Sequence, residues 1–283
     1  MKENKIILND FHIRYLKSEK HNSSKKKNIL FIHGLGSSSD RWGDIPDALS
    51  RYFHPIVAVD LIGFGGSDKP VTPEYTIEYF SKFIREVISC KQIWRDDDCC
   101  DDDSRKTIII GHSLGGYIAA KVAVHDNQNL IEKLVLIDSS GMLNQPTPML
   151  EQYLNAALNP SFENLKSVFE QMLGNPTLLN PTLVDAFNKR INLTGAKYAF
   201  KSAFENSTKK HIESSELQSI ENIPALIIWG GADKVIPVTH SKRFNEIFKN
   251  SKLQIIEDAG HAPFSEKPSM VFDIIREFLT NNK

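Results

Sequence analysis

The sequence predicts an α/β protein: a mostly parallel central sheet with helices on both faces and a helical cap inserted into the chain. Three observations carry that expectation. Short apolar runs of strand length alternate with longer runs of helical spacing. Most of the strand-type runs are continuously apolar, as strands covered on both faces must be. Between about Met142 and Glu221 the strand-type runs stop, and helical patterns punctuated by Asn159-Pro160, Asn175-Pro176 and Asn180-Pro181 replace them.

Taken in order, Lys5 to Leu8 and Phe11 to Leu16 flank Asn9-Asp10 as the arms of an antiparallel hairpin. The strand candidates that follow are Asn28 to His33, Ile56 to Asp60, Thr107 to Gly111, Leu134 to Asp138, Ala225 to Trp229 and Leu253 to Ile256. Thr76 to Ser89, Leu114 to His125, His240 to Lys249 and Met270 to Leu279 carry the apolar spacing of crossover helices. The domain organisation expected is a core formed by residues 1–141 and 222–283, with a cap at 142–221.

Composition narrows the function classes. In 283 residues, 41 % are hydrophobic and 24 % charged, which suits a soluble globular protein with a sizeable core. A formal net charge of -1 argues against nucleic acid as a partner. The start of the chain holds no apolar run long enough for a signal-peptide core or a membrane span, so a cytoplasmic location and no membrane partner are expected. Cys90, Cys99 and Cys100 are an odd and poorly spaced set for disulfides. The acidic stretch from Asp96 to Asp103 reads as a solvated loop: it lacks the glycine-anchored spacing of a calcium loop and has no histidine.

The chemistry gathers at strand ends. Thr107-Ile108-Ile109-Ile110 runs into Gly111-His112-Ser113-Leu114-Gly115-Gly116 and then a helical pattern, which sets a serine at the apex of a sharp strand-to-helix turn. Upstream, Phe31-Ile32-His33-Gly34-Leu35-Gly36 closes an earlier strand, so that the N–H of Leu35 can face the serine together with that of Leu114 as an oxyanion hole. Downstream, Asp233 follows one buried strand and His261 follows the next. A histidine can take the serine proton and return it to a leaving group, while an aspartate fixes its tautomer. Asp233 could instead only cap its own turn, and Asp138, at the end of another strand, is a second carboxylate within the same logic. The order serine, aspartate, histidine favours Asp233. His33 and His112 read as structural neighbours of the site.

With these residues assembled, the chain resembles the α/β-hydrolase superfamily over nearly all its length outside the cap and the acidic loop. The resemblance rests on His33-Gly34-Leu35-Gly36, on the run from Asp60 to Pro70, on the serine turn, on Gly230-Gly231-Ala232-Asp233 and on Gly260-His261-Ala262-Pro263-Phe264. It implies a sheet of about eight strands with a helical lid, no cofactor and no metal. Among relatives, an aspartate at the elbow would imply alkyl-enzyme chemistry, and this chain has Ser113 there. Leu35-Gly36-Ser37-Ser38 differs from the Ser-Gly-Pro-Gly type segment of C-C bond hydrolases. The expected activity is therefore a carboxylic-ester hydrolase for small to medium acyl chains, with acyl lactones, such as N-acyl-homoserine lactones, as an alternative substrate class. A C-C bond hydrolase and a non-catalytic ligand receptor rank below these. The partner expected is the small-molecule ester or lactone, bound by a monomer or homodimer. Met142, Leu143, Met149, Leu150, Tyr153, Leu154, Phe162, Phe169, Met172 and Leu173 are the cap side chains available for an acyl pocket, though core packing explains many of them equally well.

Overall fold

The computed structural model describes residues 1–21, 25–95 and 106–281. The acidic run with Cys99 and Cys100, expected to be a solvated loop, lies outside the described residues.

An eight-stranded sheet organises the chain, in the order β1-β2-β4-β3-β5-β6-β7-β8. The strands are β1 Lys2–Leu8, β2 Phe11–Lys17, β3 Lys25–Ile32, β4 Phe53–Val59, β5 Thr107–His112, β6 Ile131–Ile137, β7 Ala225–Gly230 and β8 Ser251–Ile256. β1 and β2 form the antiparallel hairpin, with Asn9 and Asp10 at φ 49° and 68°, the left-handed conformations a two-residue turn requires. β2 joins β4 antiparallel, and all pairs from β4 onward are parallel. This is the α/β-hydrolase fold.

Side-chain alternation divides the core into two layers. In β3, Ile29 and Phe31 face a layer closed by helices α1 (Ile45–Ser50) and α12 (Pro268–Thr280), whereas Leu30 and Ile32 face the opposite layer. That second layer holds α2 (Ile77–Ser89), α4 (Leu114–Val124) and α10 (Thr239–Ile247); the short α3 (Lys91–Trp94) packs there through Ile93 and Trp94. The β3, β5, β6 and β7 residues at the centre are almost fully buried, which is why their sequences are continuously apolar.

Between β6 and β7 the chain forms α5 (Pro148–Leu158), α6 (Phe162–Met172), α7 (Pro181–Ile191), α8 (Ala196–Lys209) and α9 (Ser214–Gln218). Thr147, Ser161 and Asn180 cap α5, α6 and α7 through their side-chain oxygens, and proline occupies the first turn of α5 and α7. Asn175-Pro176 and Asn180-Pro181 therefore start a 3-10 turn and α7, whereas Asn159 ends α5. α11 (Pro263–Glu266) follows the β8 turn directly and precedes α12. Among the described residues no helix is long and apolar enough to cross a membrane.

Candidate active site

Ser113 stands between the end of β5 and the start of α4 at φ 53° and ψ -117°, a strained conformation for a residue with a side chain. Small neighbours permit the turn. A Cβ at Gly115 would fall on the Ile32 carbonyl oxygen, so α4 packs against β3 only because that position carries none. The turn is pinned by Ser113 N–H donating to Ile137 O at 3.0 Å and Ser140 N–H donating to Ser113 O at 3.1 Å.

His261 lies in the loop after β8. Its Nε2 stands 3.0 Å from Ser113 Oγ and its Nδ1 2.8 Å from Asp233 Oδ2. Because a carboxylate only accepts, Nδ1 carries the hydrogen and Nε2 presents its lone pair to the serine hydroxyl. Asp233 holds its other oxygen, Oδ1, against the N–H groups of Val235 at 2.7 Å and Ile236 at 3.0 Å. Both readings of Asp233 thus apply at once: one oxygen caps the turn and the other takes the histidine.

Asp138 is fully buried beside this pair, at φ 43°. Its Oδ1 accepts from Gly230 N–H at 2.8 Å, and its Oδ2 has no donor among the described residues. Burial, and then the Asp233 charge, push its carboxyl well above the usual aspartate range, toward the protonated form.

His112 donates Nε2–H to the His261 carbonyl at 2.6 Å, and burial together with His261 keeps its pKa well below the ordinary value. His112, Asp138 and His261 bring potential metal ligands within 4.8 Å of one another. Nε2 of His112 is spent on the His261 carbonyl, and both ring nitrogens of His261 are spent on Ser113 and Asp233.

Opposite the serine, the loop after β3 approaches closely: a Cβ on Gly34 would stand 3.2 Å from Ser113 Cβ. His33 shapes this loop, donating Nδ1–H to Gly34 O at 2.8 Å and accepting Leu61 N–H on Nε2 at 3.0 Å. Burial lowers its pKa, consistent with that neutral tautomer. The Leu114 N–H opens α4, where no intrahelical acceptor exists. No described backbone acceptor takes the N–H of Leu35.

Leu35, Ser113 and His261 line one cleft. Of the ten cap side chains singled out from sequence, Leu150, Tyr153, Phe169, Met172 and Leu173 reach this cleft, joined by Leu179, Leu183 and Phe187. Met142, Leu143 and Met149 are buried in the core, and Leu154 and Phe162 pack against it. Arg41 and Arg190 also line the cleft. Nothing in the sequence pattern marks these two, since one lies in the short 3-10 helix Ser39–Trp42 and the other on α7.

The fold and this cluster define the class. Residues 27–268 match the alpha/beta hydrolase fold family, and the chain belongs to it. An uncharacterised hydrolase of Bacillus subtilis is 25% identical over 272 residues, covering 92% of this chain and 93% of that protein. Lipase 3 of a Moraxella species is 26% identical over 242 residues, covering 84% of this chain and 72% of the lipase. Among solved structures, the 2-hydroxy-6-oxo-6-phenylhexa-2,4-dienoate hydrolase of a Rhodococcus species superposes with a TM-score of 0.84 at 19% identity, over 99% of both chains. At that identity the likeness concerns the fold.

Proposed function

We propose that this chain is a serine hydrolase of carboxylic esters with small to medium acyl chains, in which Ser113 is the nucleophile, His261 the general base and Asp233 its orienting carboxylate. The observation that carries the reading is the continuous line from Ser113 Oγ through both nitrogens of His261 to Asp233 Oδ2, with contacts of 3.0 and 2.8 Å. Ser113 Oγ attacks the acyl carbon while its proton passes to His261 Nε2. The N–H groups of Leu35 and Leu114 stabilise the resulting oxyanion. The tetrahedral adduct collapses, and the alcohol leaves with the proton from Nε2. Water then attacks the acyl-enzyme, gives its proton to Nε2, and the acid departs as Ser113 regains its hydrogen.

The apolar cap wall of Leu150, Phe169, Leu183 and Phe187 supports an acyl site rather than a polar one. A lactone ring would use the same groups, with the alcohol product still tethered to the acid. Hydrolysis of p-nitrophenyl butyrate and decanoate by the wild type and by Ser113→Ala, with acyl-homoserine lactones alongside, tests the reading. Turnover of the esters abolished by the substitution is expected. Turnover of lactones alone would make the chain a lactonase, and ester turnover unchanged in Ser113→Ala would remove Ser113 from the mechanism.

A further inference from the structure

The cleft beside Ser113 is charged in a way that ester hydrolysis does not require. Its lining includes two guanidinium groups, Arg41 and Arg190, and not one carboxylate. The acids nearby are committed elsewhere. Asp40 holds Arg14 at 2.8 and 3.0 Å, and Asp60 accepts from Ser39 N–H, Gly66 N–H and Arg14. Glu266 accepts three backbone N–H groups. Arg41 lies over the Phe264 ring, its carbon 5.9 Å from the centroid, and donates to the neutral hydroxyl of Ser265. Arg190, on the cap helix α7, ends with its Nε buried and without an acceptor among the described residues. Burial disfavours the charge on both arginines; Asp60 and Asp40 offset this only in part at Arg190, and the Arg190 charge adds to it at Arg41.

Two half-buried cations facing an apolar cleft, with no counter-charge in its wall, form an arrangement that a ligand anion completes. We propose that Arg190, assisted by Arg41, is an anion subsite of this cleft, and that the preferred substrates carry a carboxylate at the far end of a short apolar acyl chain. The planar guanidinium matches a carboxylate in bidentate fashion, and Leu183 and Phe187, on the same helix as Arg190, give the intervening methylenes an apolar wall. A neutral acyl chain of equal length would leave the Arg190 donors unpaired, which is the basis of discrimination in buried polar sites. The inference rests on the ester-hydrolase reading of Ser113.

The test compares mono-p-nitrophenyl glutarate with p-nitrophenyl valerate, which share a five-carbon acyl chain and differ by the terminal carboxylate. The kcat/KM ratio of glutarate to valerate is expected to favour glutarate by about tenfold or more in the wild type. It should fall at least as far in Arg190→Gln and be partly restored in Arg190→Lys. Lys189→Gln, which removes an exposed charge from the next position, should keep the ratio. A wild type that prefers valerate, or a ratio unmoved by Arg190→Gln, overturns the subsite. Calorimetric titration of free glutarate into Ser113→Ala separates this from a failure of the ester reading. If no ester is turned over, saturable glutarate binding that Arg190→Gln abolishes still supports the anion site, and absence of such binding rejects it.

Discussion

At the scale of single residues, the site turns on two aspartates that end adjacent strands, Asp138 after β6 and Asp233 after β7. From sequence either could orient the histidine, because both occupy the same kind of strand-end position. The structure separates them by donor supply: Asp233 receives two backbone N–H groups and the His261 Nδ1–H, whereas Asp138 receives one. Two adjacent buried carboxylates cannot both ionise without large repulsion, and the one with fewer donors is the costlier to charge. Asp138 therefore holds a proton in the folded chain that it loses on unfolding once the pH exceeds its ordinary value of about 4. A folded-state pKa raised above the unfolded one contributes stability that is complete below that value and is lost as pH rises toward the folded pKa. Asn at 138 keeps the shape and accepts the Gly230 N–H without any titration. The melting temperature of Asp138→Asn should therefore gain on the wild type steadily from pH 4.5 to 7.5. A difference that stays constant with pH would mean that Asp138 is ionised in the fold.

At the scale of elements, the elbow between β5 and α4 shows how much of the site was legible and why the rest was not. Ser113 and Asp233 are marked in the sequence because each follows a strand buried along its whole length, His261 because it follows the apolar end of the alternating β8, and glycine marks each turn. Those signals are local, and local signals survive in a sequence. Arg41 and Arg190 meet across 149 positions through the docking of α7 on the core, which no periodicity encodes. The same limit applies to β3 and β6, whose first residues are polar or mixed and carry no strand pattern, yet pair in the sheet. The elbow also stores strain. At φ 53° a side chain costs of the order of 1–3 kcal/mol, and glycine relieves it. Ser113→Gly should consequently be more stable than Ser113→Ala by about 1 kcal/mol in urea denaturation, although both lack the hydroxyl. Equal stability would show that the turn relaxes once the hydroxyl is gone.

At the scale of the whole molecule, the segment between β6 and β7 is fastened to the loops after β3 and β8 rather than resting over them. Tyr153 on α5 donates its hydroxyl to Leu35 O at 3.0 Å, in the loop after β3. His261 N–H donates to Met172 O at 2.8 Å, at the end of α6. Glu266, only 8% exposed, accepts from Gly260 N–H beside the histidine at 2.8 Å and from Gly174 and Asn175 N–H beyond α6 at 2.9 and 3.2 Å. One carboxylate thus joins the histidine loop to the cap. Removing it leaves three N–H groups without their acceptor, and hydrogen bonds to a charged group contribute about 1.5–3 kcal/mol each, less than additively. Glu266→Ala should lower stability by roughly 3–5 kcal/mol, and Glu266→Gln, which retains one acceptor oxygen, should lose less. Because Glu266 touches neither substrate nor Ser113, its effect on turnover must pass through the position of His261. The expected signature is a fall in kcat for Glu266→Gln with KM on p-nitrophenyl butyrate little changed, measured well below its melting temperature. A rise in KM at constant kcat would instead place Glu266 in control of the cleft wall at Met172 and Leu173, with the histidine held by Asp233 alone.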